Sequence, residues 1–387
     1  MSGLKDLPKV WQSIKEIDLR PIRKEALQAV HLAIAGRPDA PKQELAWQMR
    51  RDPYRPSEQT FTPISILDYT GDDSALEPAL NSDLLTLILP AATEETTLEQ
   101  KLVQKWMNSG RRLLVLVPQD QRLGLDAIQS FRLSIGNLRP LFGDLSDPDF
   151  LLSRFVPAVL EALPQKQVAL ARQFPLFRDA VARQLIAEGC FTNAAYAFST
   201  GLAEIVPGLN IPLNVADMVV LTKNQAFLAY RLGLALGFST RWQDYLAEFG
   251  GILGSGFLWR QLARQLVGLI PAWGIVPKVA VAYAGTYVVG RVILQWYLTG
   301  KKLSPQQMRQ LYGEAFQAGK AWASKMLQKI PRPRLPQQKR KPRELPLPPE
   351  SNPQGKVCSV CGRSNDWDAR YCQSCGTLLE RIPHEES

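Results

Sequence analysis

The chain reads as a multidomain protein with a parallel-sheet α/β part, an all-α part and a small cysteine-rich metal module. Three observations predict this. Apolar strand-like runs alternate with helical stretches in the N-terminal half, the pattern of crossover connections. From Gln167 to Gln328 the texture changes to long Ala-, Gly- and Leu-rich stretches without strand alternation. Two Cys-x-x-Cys pairs then follow a proline-rich basic segment.

With 387 residues, 45% hydrophobic and 21% charged, the chain has material for sizeable cores in two or three domains. Its net charge of +10 favours an acidic partner such as lipid headgroups or nucleic acid. The excess is unevenly placed. Residues 331–356 carry seven Lys/Arg against Glu344 and Glu350, leaving the remainder only mildly basic. Met1 to Gln12 lacks the apolar core of a secretory signal.

Residues 1–30 read as two short amphipathic helices, with Val10, Trp11, Ile14 and Ile17 at helical spacing and Asp18 capping the second. The α/β part, residues 31–165, opens with the apolar run Val30 to Ala35 and a loop at Gly36. Pro41 suits the start of a helix reaching about Arg51. Strands are expected at Ile64–Leu67, Leu84–Leu89 and Leu113–Val117. Helices are expected at Glu94–Ser109, capped near Thr93, and at Asp149–Leu160.

Residues 166–330 form the all-α part. Within it, Leu266–Leu298 holds two apolar runs of about a dozen residues, split by Lys278 and cut by Pro271 and Pro277; a spanning helix needs about 20 continuous apolar residues. A tight helical hairpin is therefore expected, buried in a core or lying at a membrane surface. Gly274, Ala280, Ala284, Gly285 and Gly290 would let helices pack closely there. Asp217 and Lys278, in apolar surroundings, are a buried pair, interfacial charges or ordinary helix-face residues.

Pro331–Lys356 holds eight prolines in 26 residues and reads as an extended linker. In the module 357–380, Cys358-x-x-Cys361 and Cys372-x-x-Cys375 are each followed by glycine, Gly362 and Gly376. Four thiolates in two close pairs suit tetrahedral Zn²⁺ and leave no open position, so the site is structural; iron is the other S₄ option. This module resembles the bacterial zinc ribbons with their Cys-x-x-Cys-Gly…Arg-Tyr-Cys-x-x-Cys-Gly form. Cys190 stands alone among apolar residues as an inert core thiol.

Gly36-Arg-Pro-Asp-Ala-Pro41-Lys42-Gln43 has the spacing of G-x-x-x-x-G-K-[ST], with the second glycine and the hydroxyl residue replaced. Proline has no N–H to offer a phosphate and Gln43 no short hydroxyl for Mg²⁺. Asp68-Tyr-Thr-Gly71 follows at a strand end, and Val117-Pro-Gln-Asp120 at another. In order and spacing these are similar to the motifs of Era/Ras-like P-loop GTPases over roughly Leu32 to Leu163. The resemblance implies a degenerate nucleotide site in which Gly36 shapes the loop and Lys42 reaches the phosphates. Asp68 and Gly71 would sense Mg²⁺ and phosphate, and Asp120 would contact guanine. The losses at Pro41, Gln43 and Val117 predict impaired binding of GTP and Mg²⁺.

Ile211-Pro212, Asp217, Gln225, Arg231-Leu-Gly-Leu-Ala-Leu-Gly237, Gly285-Thr-Tyr-x-x-Gly290-Arg291 and Gly313-Glu314 are similar to a bacterial helical module known as domain of unknown function 697. That resemblance covers about Ala180–Lys325 and implies association with the cytoplasmic membrane. With His31 and His384 the only histidines, histidine-based catalysis is not expected. The expected protein is a non-enzymatic, cytoplasmic, membrane-associated adaptor whose zinc ribbon binds a protein partner. A slow GTPase using Lys42, Asp68 and Asp120 is the alternative. Nucleic acid ranks last as partner, because Asp366, Asp368, Glu380, Glu385 and Glu386 outnumber Arg363, Arg370 and Arg381 around the ribbon.

Overall fold

A computed structural model describes residues 18–89, 97–118, 140–205, 215–241, 275–329, 355–366 and 369–379. The chain divides into two compact units, Met1–Lys329 and Ile330–Ser387.

In the first unit, helix α1 (Arg20–Ala26) precedes β1 (Leu32–Gly36), α2 (Lys42–Arg50), β2 (Ile64–Asp68), β3 (Leu84–Ile88), α3 (Thr97–Asn108), β4 (Leu113–Pro118) and β5 (Leu141–Gly143). The strands form one parallel sheet in the order β2-β1-β3-β4-β5. Strands β1 to β4 match the apolar runs expected from sequence. The three-residue β5 was not anticipated, being too short to show periodicity. Asp18 accepts from the Arg20 N–H at 3.0 Å, close to its expected capping role, although Leu19 occupies the N-cap position.

The sheet is covered on both faces, so its strands are nearly all apolar. Leu32 and Ile34 of β1 point into one core with Ile88, Leu114 and Leu116, while Ala33 and Ala35 point into another with Leu85, Leu87, Val115 and Val117. Helix α3 seals the second face with Leu102, Val103 and Trp106.

Beyond the sheet, a π-helical turn (Leu151–Phe155) runs into α4 (Val156–Ala162), followed by α5 (Gln167–Gln173), α6 (Arg178–Ile205), α7 (Val215–Ala235), α8 (Ile275–Thr299) and α9 (Pro305–Lys329). The first core continues from the sheet through Phe155, Leu170 and Phe177 to Leu185 of α6, Leu232 of α7 and Ile293 of α8. This core is continuous across residue 165.

Helix α8 corrects one expectation. It runs unbroken through Pro277 and Lys278, with Pro277 in its first turn, where no intrahelical N–H bond is lost. It is the one described helix long and apolar enough to cross a membrane, with mean hydropathy 1.2, but 72% of that window is buried within the protein. The earlier arm of the expected hairpin, residues 266–274, lies outside the described residues, as do residues 331–354 of the expected linker and Asp120; Lys356, expected to end the linker, begins a strand. A Cβ on Gly290 would stand 2.6 Å from Ile186 of α6, and one on Gly319 of α9 would stand 3.0 Å from the Ala280 backbone, so small residues do set the helix spacing.

The second unit contains the short hairpin β6 (Lys356–Val357) and β7 (Ser364–Asn365), and a Tyr371–Leu378 bridge.

Candidate functional site

The strand order of the first unit reverses direction between β1 and β3. In doubly wound sheets the crevice at such a switch point, at the carboxyl ends of the strands, is where ligands bind. Gly36 ends β1 at this place, and the loop to α2 folds over it. A Cβ on Gly36 would meet the Ile88 carbonyl at 2.8 Å and the Ala40 Cβ at 2.9 Å, so the glycine is required by close approach.

Within the loop, the Ala40 N–H donates to the Arg37 carbonyl at 3.0 Å and the Lys42 N–H to the Ala40 carbonyl at 2.7 Å. Pro38 and Pro41 have no N–H, and the N–H groups of Ala40 and Lys42 are turned onto the loop itself.

Lys42 is 3% exposed. Its ammonium lies 2.9 Å from Asp68 Oδ1, bonds the Arg37 carbonyl and approaches the Gly36 carbonyl at 3.5 Å. Three acceptors match the three donors an ammonium has. Arg37, the other loop cation, forms a fork with Glu99 of α3, Nε to Oε1 at 2.7 Å and Nη2 to Oε2 at 3.4 Å. Glu99 is 1% exposed. This pair joins the loop after β1 to the helix after β3, across the switch point.

The structure therefore brings Gly36, Lys42 and Asp68 together. Gly71 follows Asp68 in a turn at φ 104°, a backbone conformation suited to glycine, with Leu98 beside it. Arg37 and Glu99 were missed from sequence, although Glu99 carried a signal: with Leu102, Val103 and Trp106 it occupies the buried stripe of α3.

A second polar cluster joins the α2–β2 connection to the helices. Tyr297 of α8 donates to Asp52 Oδ2 at 2.5 Å, and Arg178 of α6 donates to the Tyr297 hydroxyl at 2.6 Å and to Glu58 at 3.2 Å. Asp52 also accepts from the Tyr54 and Arg55 N–H groups. Burial pushes the Tyr297 hydroxyl well above its ordinary value.

The second unit holds the four cysteines together, their sulfurs all within 4.8 Å of one another. The two knuckles repeat one local geometry. Cys358 N–H donates to the Arg363 carbonyl and Gly362 N–H to the Cys358 carbonyl; Cys372 N–H donates to Thr377 and Gly376 N–H to Cys372. Gly362 and Gly376 make these turns at φ 67° and 74°. Sulfur separations are 3.7 Å for Cys358–Cys375 and 3.5 Å for Cys361–Cys372. Four ligands at about 2.3 Å from a tetrahedral centre lie roughly 3.8 Å apart. The set fits a metal ion of the size of zinc.

Their surroundings shift the thiols in opposite directions. Backbone N–H groups of Ser374 and Cys375 draw Cys372 down to about 6, and the Thr377 hydroxyl and N–H lower Cys375. The Arg363 N–H acts to lower Cys361, yet its sulfur neighbours Cys372 and Cys375 outweigh it and push it up to about 12. A divalent cation among the sulfurs would relieve that crowding of charge. Cys190 is fully buried, and burial alone raises it to about 12, as an inert core thiol requires.

Fold and sites together define a mixed α/β protein with a C-terminal four-cysteine centre. No protein-family model matches the chain, and no curated protein is significantly similar to it.

Proposed function

We propose that this protein is a non-enzymatic adaptor: a degenerate P-loop-like domain serves as a scaffold, and a structural zinc ribbon docks a protein partner. The observation that carries this reading is the engagement of Lys42. The Lys42 ammonium is buried against two carbonyls and Asp68, and these contacts would have to give way before it could reach a phosphate. The loop amides of Ala40 and Lys42 are likewise occupied. Catalysis of phosphoryl transfer depends on positioning and charge stabilisation, and both instruments are committed elsewhere.

Zinc is the metal this reading assigns to Cys358, Cys361, Cys372 and Cys375, holding the ribbon in shape rather than reacting. The membrane element rests on the helical resemblance and on the apolar sequence 266–274. A phosphate-release assay with GTP and Mg²⁺ tests the non-enzymatic element: the chain should match a protein-free control, and sustained turnover would refute it. Fractionation tests membrane residence, since recovery wholly in the soluble pool at low salt would remove that element.

A slow GTPase is the second reading, favoured by the convergence of Gly36, Lys42 and Asp68 at the switch point. Lys42→Ala should then abolish nucleotide binding.

A further inference from the structure

We propose that the open edge of β2 pairs with the β2 edge of a second copy of this chain, antiparallel about a two-fold axis, joining two five-stranded sheets into one. The inference goes beyond the adaptor reading and does not depend on whether a nucleotide binds.

Strand β2 stands at the end of the sheet order, with β1 on one side and, among the described residues, no strand on the other. One bond fixes the direction of its main-chain groups. The Tyr69 N–H, just past the strand, donates to the Gly36 carbonyl of β1 at 2.8 Å. Along a strand in a parallel ladder these groups face alternate neighbours, so Ser65 and Leu67 face β1 as Tyr69 does. Ile64, Ile66 and Asp68 therefore turn their N–H and C=O groups outward, where they meet no partner among the described residues. Upstream, the Thr62 carbonyl is already taken by Arg50 Nε at 2.9 Å, so the open stretch is the strand itself. Proline and lysine, which commonly blunt exposed edges, are absent from Ile64–Asp68.

Charge identifies the occupant. At the carboxyl end of the edge stand Asp68 and, past the turn at Gly71, the exposed Asp72. At the amino end stand Arg50, bonded to Thr62, and Arg51, which bridges Gln59 and lies over the Trp47 ring at 4.6 Å. Asp72, Arg50 and Arg51 form no ion pair among the described residues. Antiparallel pairing lays the acidic end of one edge toward the basic end of the other, and the two-fold axis makes that match twice. Parallel pairing would set like ends together. Centred on Ile66, the outward residues Ile64, Ile66 and Asp68 oppose Asp68, Ile66 and Ile64 of the copy, with about six main-chain hydrogen bonds. So short an edge makes a small interface, and its association should be weak and salt-sensitive.

The full chain is sedimented at about 1 to 300 μM, in low and in high salt, and amide exchange of residues 64–68 is followed over the same range. Wild type should pass from monomer to dimer, at higher concentration when salt is raised, and exchange at 64–68 should slow as the dimer forms. Ile66→Pro removes the central outward N–H without costing a bond to β1, and should stay monomeric. Asp72→Arg and Arg51→Asp should each weaken self-association by about tenfold. Mixed together, these two variants should form a dimer tighter than either forms alone, because opposite charges then meet at both ends. A monomer at every concentration would overturn the proposal. So would a dimer that Ile66→Pro leaves intact, or charge variants that pair with each other no better than with themselves. Should Ile66→Pro fail to fold, wild-type exchange decides: protection at 64–68 that does not change with concentration would overturn the proposal, whether the edge is bare or covered by its own chain.

Discussion

The Tyr297 hydroxyl donates to Asp52 across 2.5 Å, joining residues 245 apart in the chain. Asp52 lies just after α2, the helix that begins at Lys42; Tyr297 lies near the end of α8. Arg178 bonds the same hydroxyl and stands 3.6 Å from the same carboxylate, so one buried cluster fastens the sheet part to the helical part. Removing only the hydroxyl, as Tyr297→Phe, should cost about 1–3 kcal/mol of stability. Asp52→Ala should cost more, because it leaves the Tyr297 hydroxyl and the Tyr54 and Arg55 N–H groups without their acceptor, while Glu58 still pairs with Arg178. Urea denaturation of the two variants and their double mutant reads both, and additive effects would mean the cluster does not act as one.

Among the helices, Asn193 of α6 donates to Thr286 of α8 at 2.7 Å and accepts from Asn224 of α7 at 2.7 Å. Asn193 and Thr286 are fully buried. Thr286→Val keeps the shape but orphans a buried amide donor, and should cost about 1–3 kcal/mol. Chemical denaturation checks it, and an unchanged midpoint would contradict the role given to this chain of bonds.

Tyr312 of α9 presents the opposite case. Its hydroxyl is buried and meets no hydrogen-bond partner among the described residues, and burial raises it to about 12. Tyr312→Phe should be neutral or stabilising by about 1 kcal/mol, since no bond is lost. The pH dependence has a definite sign. A folded pKa above the unfolded value of about 10 gives stability that is full below pH 10 and lost as pH rises toward about 12. Thermal melts across that range should show a steeper decline for wild type than for the Phe variant.

Zinc removal should act on one unit alone. Cys358, Cys361, Cys372 and Cys375 belong to Ile330–Ser387, whereas the large apolar cores belong to Met1–Lys329. Among its described residues this unit buries little apolar surface besides Cys358, Cys372 and Leu379, so the metal should supply most of the folding energy of the four-cysteine centre. We expect one zinc per chain by elemental analysis, its release by chelator at an unchanged main melting transition, and loss of ordered amide signals from the ribbon. Collapse of the main transition on chelation would contradict the division.

Much of this architecture was legible in the residues. The apolar runs of β1, β3 and β4 could be read directly, because strands covered on both faces carry few polar interruptions. The cysteine site was legible because two knuckles plus glycines specify their own geometry. What could not be read was relational. Nothing local marks Asp52 as the acceptor for Tyr297, and the continuity of the core across residue 165 is a property of packing. Pro277 looked like a break in the apolar run, yet a proline in the first turn of a helix breaks nothing. Asp68 had the place of a metal-sensing carboxylate in the motif; its ion pair with Lys42 appears only in three dimensions.

Lys42 is held by its own chain, between Asp68 and the carbonyls of Gly36 and Arg37. The most direct measurement is calorimetric titration of the full wild-type protein with GTP in the presence of Mg²⁺. No binding in the micromolar range is expected. A micromolar isotherm abolished by Lys42→Ala would contradict it.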